Sequence, residues 1–226
     1  MNFEELKWDS DFFSRRIAKV YVDTVITDLH QLNAVGFDII YIFSKVRQPI
    51  LENQNVLLMD TKVNYKKKIS TINNSKVDNV ISYHGDSNEQ LIKLALQSGW
   101  KSRFKMDTNL NNKYDELYLI WLRKSLDRSI ADDFFVTLEN EAITGFVTVV
   151  KSNEDGVIGL IAVDENFRGK GIGSKLITRA ELWCAENKLS ALNVVTQLDN
   201  EGACMLYEKN HFKITSTNFI YHFSKL

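Results

Sequence analysis

The 226 residues predict an α/β fold with a mixed sheet of the α+β kind. Three observations predict it. Helix-like and strand-like patterns alternate along the chain, three strand-like stretches follow one another at 133–139, 142–151 and 156–164, and a glycine-rich stretch then leads into an amphipathic helix. Strands joined by short turns pair antiparallel, whereas strands joined through a helix pair in parallel. We therefore expect one sheet with both kinds of pairing and a strand–loop–helix unit at its centre.

The first third of the chain predicts a small α/β unit. Three stretches at 17–25, 37–44 and 55–68 are rich in β-branched and aromatic residues, and residues 27–36 predict a short helix between the first two. Serine, threonine and asparagine then gather at 70–79, which is typical of a connection between domains. We therefore predict a smaller N-terminal α/β domain at 1–76 and a larger domain at 77–226.

Caps and periodicity predict the elements of the larger domain. Ser87 is the predicted N-cap of a helix that stops at Gly99, and Asn140 with Glu141 forms the predicted turn between the first two of the three consecutive strands. The remaining elements are a helix at 114–126, a long helix at 173–187, a strand at 191–197, a short helix at 201–209 and a final β region at 212–226. The glycine-rich stretch therefore lies between a strand and a helix.

Composition and charge exclude several function classes. Lys and Arg total 28 against 29 Asp and Glu, so the chain lacks the overall positive field of a nonspecific nucleic-acid binder. Cys184 and Cys204 match no metal-binding spacing, and we predict no metal site. The N-terminus carries acids where a signal peptide has bases, and no apolar run reaches the roughly 20 residues that span a bilayer. We expect a cytoplasmic protein that binds neither nucleic acid nor membranes.

The stretch ENFRGKGIGSKL at 165–176 predicts an anion site. Its three glycines allow the backbone to approach a ligand closely, and the first amides of the following helix have no intrahelical partner. A phosphate or diphosphate is the natural occupant, with a glycine-rich surface turn as the alternative. A P-loop requires Gly-Lys-Ser/Thr, whereas Ser174 here precedes Lys175. The spacing also excludes a dinucleotide-binding fingerprint, because Ser174 or Leu176 would stand at its third glycine.

The order Arg168-x-x-Gly171-x-Gly173, with a strand before it and NVVTQLDNEGACMLYEKNHF after it, resembles the GNAT superfamily of N-acetyltransferases over residues 80–226. The resemblance implies a GNAT fold with splayed central strands and acetyl-CoA or another acyl-CoA as co-substrate. It also implies that loop amides hold the coenzyme A diphosphate, that the preceding strand pairs with the pantetheine arm, and that a residue opening the last helix contacts this arm. The cofactor-binding residues expected from it are Ile161, Ala162, Val163, Arg168, Gly169, Lys170, Gly171, Ile172, Gly173, Ser174 and Asn200.

Four further segments, WDSDFF, SRF, VTQLDN and STNFIYHF, resemble the TDP-fucosamine acetyltransferases and related nucleotide-aminosugar acyltransferases, which carry an extra N-terminal domain. This resemblance implies an acetyl or other short acyl transfer to the amine of a dTDP-linked amino-dideoxy sugar, as in polysaccharide biosynthesis. Arg103, Phe104 and Tyr114 are the expected substrate-binding residues. Two alternatives stay open: transfer to a protein or small-molecule amine, and a non-catalytic acyl-CoA-binding module. The oligomeric state is also open, with a homodimer among the options.

Tyr207 is the predicted catalytic residue. The thiolate that leaves the thioester needs a proton, and a phenol with a pKa near 10 stays protonated at neutral pH. The GNAT resemblance places a general acid at this position, whereas the alternative is a half-buried packing residue. Cys204 raises an acyl-cysteine route, but we expect an inert, buried thiol. His211 replaces the glycine common after this helix, and we expect it or Asn210 to tolerate a left-handed backbone.

Overall fold

A computed structural model describes residues 1–27, 30–49, 56–69 and 77–225. None of the helices in these ranges is both long enough and apolar enough to cross a membrane. The elements, in chain order, are β1 (Glu4–Glu5), α1 (Lys7–Phe13), β2 (Ile17–Val22), α2 (His30–Ala34), β3 (Ile39–Ser44), β4 (Val56–Lys68), β5 (Val80–Ser82), α3 (Glu89–Ser98), α4 (Arg103–Met106), α5 (Tyr114–Leu126), β6 (Asp133–Glu139), β7 (Ala142–Ser152), β8 (Asp155–Val163), α6 (Ile172–Glu186), β9 (Ala191–Gln197), α7 (Glu201–Lys209) and β10 (Lys213–Ser224).

The ten described strands form one sheet in the order β1-β2-β3-β10-β4-β9-β8-β7-β6-β5. The pairs β2–β3 and β8–β9 are parallel and the other pairs are antiparallel, so the predicted mixed sheet is confirmed. The C-terminal strand β10 lies between β3 and β4, and strands from both sides of the predicted domain boundary therefore share the sheet. The boundary at 76/77 adjoins residues 70–76, which lie outside the described ranges, and the division into two domains stays a prediction.

Helices cover both faces of the sheet. Along β6, Phe134 joins a core cluster with residues of α3, and the next residue, Phe135, joins a cluster with residues of α6 and α7. Because successive side chains of a strand point to opposite faces, α3 and α6 lie on opposite sides. Helix α5 lies on the α3 side, where Leu117 and Tyr118 pack with Tyr41 of β3. We call these two sides the α3 face and the α6 face.

Four of the predicted elements of the larger domain match the structure residue for residue. The predicted ranges 114–126, 133–139, 191–197 and 201–209 are those of α5, β6, β9 and α7. Asn140 and Glu141 have φ angles of 50° and 66°, as a two-residue hairpin turn with two positive φ angles requires. His211 has a φ of 65°, which confirms its left-handed backbone.

Two kinds of differences separate the sequence prediction from the structure. The N-cap of α3 is Asn88, whose side chain accepts a hydrogen bond from the Leu91 amide, and the prediction of Ser87 was wrong by one residue. The short elements β1, α1, β5 and α4 were not predicted. They contain two to seven residues, too few to establish a hydrophobic period.

Candidate active site

A cleft opens in the sheet where β8 and β9 separate. The two strands pair in parallel from Asp155–Ala191 to Ile158–Val194, and no ladder pair joins them beyond that point within the described residues. Both strands nevertheless continue, β8 to Val163 and β9 to Gln197. The splay of central strands that the resemblance implied is therefore confirmed.

A β-bulge in β8 begins at the point of separation. Val147 and Val149 of β7 pair with Ile161 and Ile158, so β8 carries one extra residue between the two pairs. The Leu160 amide within the bulge donates to the Thr148 hydroxyl at 2.8 Å. A Cβ at Gly159 would lie 2.8 Å from the same hydroxyl oxygen, so this close approach requires glycine. Bulges bend the strand that carries them, which turns β8 away from β9.

The cleft has a volume of about 910 Å³ and passes between the two faces of the sheet. On the α6 face it is lined by the glycine-rich loop and by α7, and on the α3 face by α3, α5 and the segment that follows α3. All of the predicted cofactor-binding residues except Lys170 line it. The ammonium group of Lys170 instead lies 4.6 Å from the ring centre of Phe167. The cleft therefore joins the predicted cofactor loop to a chamber on the opposite face.

The glycine-rich loop has the geometry of an anion cradle. Gly169 and Gly171 have φ angles of 77° and 80°, and a Cβ at either would meet nothing within 4 Å, so backbone conformation rather than space requires these glycines. Gly173 has a different role, because a Cβ there would lie 3.0 Å from Leu206 of α7. Helix α6 has no side-chain cap and no acid in its first turn. Its first amides and the positive end of its dipole are therefore not neutralised by the helix itself.

Two contacts fix this loop against its neighbours. The side-chain amide of Asn210, the residue that follows α7, donates a hydrogen bond at 3.1 Å to the hydroxyl of Ser174 in the first turn of α6. The Arg168 side chain donates to the Val163 carbonyl at 3.3 Å, which ties the loop to the end of β8. The cradle is thus held by elements on both sides of it.

Tyr207 lies on α7 at the wall of the cleft. It is only 2% exposed, and its ring centre lies 5.6 Å from that of Tyr65 and 5.8 Å from that of Phe212. Burial, and next the neighbouring Cys204, raise the pKa of Tyr207 above its ordinary value. The phenol therefore stays protonated throughout the neutral range, as a proton donor must. Its catalytic role stays a prediction.

The three predicted substrate residues lie behind the cleft rather than in its lining. Arg103 begins α4, and its guanidinium lies 4.0 Å from the Tyr41 ring centre and 4.2 Å from that of Phe104. Phe104 also stacks on Phe13 at 5.9 Å. Tyr114 is 1% exposed and its hydroxyl donates to the Leu96 carbonyl, so it is a core residue with no cleft surface. Phe104 contacts the cleft wall indirectly, since its ring centre lies 5.8 Å from that of Trp121, which lines the cleft.

A buried histidine connects Arg103 to a carboxylate. Arg103 Nη1 donates to His222 Nε2 at 3.1 Å, and His222 Nδ1 donates to Asp107 Oδ2 at 2.5 Å. Burial lowers the pKa of His222 to about 4, against the opposing effect of Asp107, so the ring is neutral at pH 7. The two hydrogen bonds then require the proton on Nδ1. This chain of contacts fixes one edge of the Arg103 guanidinium.

Several residues of the chamber are not among the three expected substrate-binding residues. Gln97, Tyr118, Trp121 and Gln197 line the cleft on the α3 face or at the end of β9. Burial raises the pKa of Tyr118 to about 12, and a Cβ at Gly99 would lie 1.9 Å from its Cζ atom. The glycine predicted only as a helix stop thus also makes room for Tyr118. No pattern in the sequence separates these residues from ordinary core and strand-end positions.

Cys204 differs from its prediction as a buried thiol. It is partly exposed, and its sulfur lies 3.6 Å from the Gln197 carbonyl oxygen and 3.8 Å from that of Leu198. The prediction was wrong because α7 is short and exposes most of its surface. No histidine contacts this sulfur among the described residues. The arrangement therefore offers no base to activate it for an acyl-cysteine route.

Comparisons with known proteins agree with this geometry. A sequence model described as the acetyltransferase (GNAT) family matches residues 95–212. The chain is 28% identical over 139 residues to spore coat polysaccharide biosynthesis protein SpsD of Bacillus subtilis (strain 168), covering 61% of this chain and 47% of the relative. It is 40% identical over 83 residues to streptothricin acetyltransferase A of the same strain, covering 36% of this chain and 47% of the relative. The chain spans about half the length of the curated relatives it matches.

A solved structure shows the same fold. A functionally unknown conserved protein from Staphylococcus epidermidis ATCC 12228 superposes with a TM-score of 0.60 at 12% identity, covering 93% of this chain and 84% of that chain. The match extends over both the N-terminal strands and the cleft-bearing part. At this level of identity it shows the fold alone.

Proposed function

Because the chain belongs to the GNAT family of acetyltransferases, we propose that it transfers an acetyl or other short acyl group from acyl-coenzyme A to the amine of a dTDP-linked amino-dideoxy sugar. One observation carries the proposal: a single cleft passes through the splayed sheet, with an anion cradle on the α6 face and a polar chamber on the α3 face. Two substrates that enter from opposite faces can then meet between β8 and β9.

The α6 face suits coenzyme A. The amides around Gly169, Gly171 and the start of α6 would bind the diphosphate, since nothing in the first turn of the helix competes for them. The edge of β8 at Ile161–Val163, which β9 leaves after Ile158, would pair with the amides of the pantetheine arm. Asn200, which caps α7 and lines the same wall, would contact this arm as well.

The chemistry requires few protein groups. The amine nitrogen attacks the thioester carbonyl, a C–N bond forms, and the C–S bond breaks. Tyr207 would protonate the departing sulfur, because its phenol is buried and protonated at the wall of the cleft where the thioester would lie. The tyrosinate regains its proton from the nitrogen, which loses an N–H when the amide forms. The amine of a sugar should titrate near the roughly 8 of an α-amino group, below the about 10.4 of lysine.

Arg103 favours an acceptor with an anionic part. Its side chain donates a hydrogen bond to His222, and its positive charge also acts on the nearby carboxylates of Asp9 and Asp60, neither of which forms an ion pair with it among the described residues. A half-buried guanidinium held between two rings is preorganised for bidentate binding of a phosphate. The similarity to SpsD, whose name refers to polysaccharide biosynthesis, also favours a sugar acceptor. The N-terminal unit at 1–76 would supply part of the acceptor site, since its strands extend the α3 face.

A panel of acceptors tests the proposal. We expect the purified chain to release free thiol from acetyl-CoA with a dTDP-amino-dideoxy sugar at a kcat/KM at least ten times that for peptide N-termini, lysine or a streptothricin-type amine. Mass spectrometry of the acceptor identifies the amide product. A preference for one of the other amines would reject the sugar acceptor. Binding of acetyl-CoA without thiol release for any acceptor would indicate the non-catalytic module.

Two tyrosine variants test the general acid. Tyr207→Phe should lower kcat by about 10²-fold or more while the affinity for acetyl-CoA is unchanged. Tyr83→Phe is the matched control, because the Tyr83 hydroxyl donates to the Asp86 carbonyl in an exposed turn. Equal kcat values for the two variants would reject Tyr207 as the proton donor.

A further inference from the structure

A second cavity opens on the N-terminal strands, beside the cleft. It has a volume of about 170 Å³, and its lining includes Tyr21 of β2, Phe43 of β3, Asn218 of β10, and Lys62 and Asn64 of β4. We call it the side pocket. Pockets that hold a whole small molecule usually measure about 300–1,000 Å³. The side pocket therefore has room for one part of a ligand, such as a single ring system.

Strand pairing joins the side pocket to the cleft. Lys62 and Asn64 of β4 pair with Gln197 and Val195 of β9, and both residues of β9 line the cleft. Paired side chains of antiparallel strands lie on the same face of a sheet. Val63, between the two residues of β4, packs in the core of the α6 face. The side pocket and the acceptor chamber are therefore neighbours on the α3 face, one strand spacing of about 4.8 Å apart.

Two aromatic rings form one wall of the side pocket. Tyr21 pairs with Phe43 across β2 and β3, and the two rings stack with their centres 5.2 Å apart and their planes at 28°. Tyr21 is nevertheless 68% exposed. An exposed ring that a second ring holds in place offers a flat surface on which a nucleobase can stack. The wall is therefore suited to a planar heterocycle.

Side-chain amides add hydrogen-bonding groups to the side pocket. Asn64 and Asn218 each carry N–H donors and a carbonyl acceptor. The Asn64 side-chain amide donates to the Ser216 hydroxyl at 3.0 Å, which fixes its orientation. Proteins recognise a base outside a helix by stacking it on aromatic rings and by hydrogen bonds to its polar edge. The side pocket offers both kinds of contact.

Two cations border the side pocket. Lys62 lines it, and the Arg103 guanidinium lies 5.9 Å from the ring centre of Phe43. Burial, and next the charge of Arg103, lower the pKa of Lys62, so the two positive charges repel each other. Asp60 attracts both charges but forms an ion pair with neither among the described residues. A diphosphate bound to both cations would relieve this repulsion.

The distance between the side pocket and the cleft suits a long acceptor. The strands lie in the order β3-β10-β4-β9, so three spacings of about 4.8 Å place Phe43 about 14 Å from β9. An aminosugar, a diphosphate and a deoxyribose in an extended line cover a distance of this order between the amine and the base. A ligand with its amine in the cleft can therefore reach the aromatic wall.

We propose that the side pocket binds the base of a sugar-nucleotide acceptor, which stacks on Tyr21 and Phe43 while Lys62 binds the diphosphate. The inference rests on the proposed function and assigns the nucleotide end of that acceptor. The base lies far from the reacting atoms, so its contacts stabilise the bound substrate and the transition state equally. They should therefore act on the KM of the acceptor and leave kcat unchanged.

Calorimetry with dTDP, which carries neither sugar nor amine, tests the side pocket directly. Tyr21→Ala should weaken dTDP binding by about 10-fold and leave the affinity for acetyl-CoA unchanged. Trp8→Ala is the matched control, because Trp8 is 44% exposed and stacks on Phe12 at 5.0 Å but lines neither cavity. This control should keep the wild-type affinity for dTDP. Lys62→Gln should weaken dTDP binding by about 10-fold and leave thymidine binding unchanged, since thymidine has no phosphate.

Steady-state kinetics separate a contact to the base from a structural role. With a dTDP-aminosugar as acceptor, Tyr21→Ala should raise KM by about 10-fold at unchanged kcat. With the same aminosugar as its 1-phosphate, Tyr21→Ala and wild type should have equal kcat/KM, because this acceptor has no base. A loss of kcat/KM for both acceptors would reject the contact to the base.

The outcomes separate this proposal from the proposed function. Equal dTDP affinity of wild type and Tyr21→Ala, or no heat with millimolar dTDP, overturns the side pocket as a base site, and the acceptor panel still decides the proposed function. A chain that binds dTDP through Tyr21 but acetylates only other amines keeps the side pocket and rejects the proposed function.

Discussion

Replacing Asp60 with asparagine should change how the stability of the folded chain depends on pH. The pKa of Asp60 is about 6 in the folded chain, against 3.8 for an ordinary Asp. The folded state therefore binds more protons than the unfolded state between these values, and the contribution of Asp60 is most favourable below pH 3.8 and is lost as the pH rises through 6. A difference of about 2 units at 1.36 kcal/mol per unit corresponds to about 3 kcal/mol.

Urea unfolding followed by tryptophan fluorescence measures this difference. The free energy of unfolding of Asp60→Asn minus that of wild type should rise by about 2.5 kcal/mol between pH 4 and pH 7.5. The subtraction removes the titration of all other groups, since both chains share them. Asp199→Asn, at an exposed carboxylate, provides the reference for a change of the same charge. A difference that stays constant within about 0.5 kcal/mol over this range would show that Asp60 is not titrating as a buried group.

Further substitutions test the packing on the α3 face and at α7. Gly99→Ala places a Cβ 1.9 Å from the Cζ atom of Tyr118 and should lower the free energy of unfolding by about 1–3 kcal/mol and raise the KM for the acceptor, as urea unfolding and steady-state kinetics will measure. Gly202→Ala on α7, where a Cβ meets no protein atom within 4 Å, should lose no stability. His222→Leu removes the ring N–H that donates to the buried carboxylate of Asp107 and should destabilise the chain by about 2–3 kcal/mol in thermal unfolding, whereas His222→Gln, which can donate and accept in the same places, should lose less. A His222→Leu variant as stable as wild type would show that the hydrogen bonds joining Arg103, His222 and Asp107 do not stabilise the fold.

The cofactor side of the site could be predicted from the sequence because its requirements are local. Gly169 and Gly171 need positive φ angles, and this need is visible as glycine in a short stretch between a strand and a helix. Tyr207 was expected as the proton donor only from the GNAT resemblance, and its role stays a prediction. The splay of β8 and β9 was expected only from the resemblance, since neither strand carries a residue pattern that distinguishes its paired half from its open half.

The acceptor side could not be predicted because tertiary packing assembles it from distant segments. Tyr114 and Tyr118 lie one turn apart on α5, and the sequence favoured Tyr114, yet packing directs Tyr118 to the cleft and Tyr114 into the core. Asp60, which lies behind the cleft lining, belongs to a strand whose alternation of polar and apolar residues is typical of one solvent-facing side. The packing of α4 against β4 helps to bury that side.

Binding of acetyl-CoA compared with S-acetylpantetheine, which lacks the diphosphate together with the adenosine 3′-phosphate, tests the central claim most directly. Calorimetry on the purified chain should give a dissociation constant for acetyl-CoA between about 1 μM and 1 mM, the range usual for enzyme substrates, and at least 10²-fold weaker binding of S-acetylpantetheine. This ratio follows from the amides of the glycine-rich loop and the first turn of α6, which only the diphosphate can occupy. Equal affinity for the two ligands, or no heat with millimolar acetyl-CoA, would contradict the account.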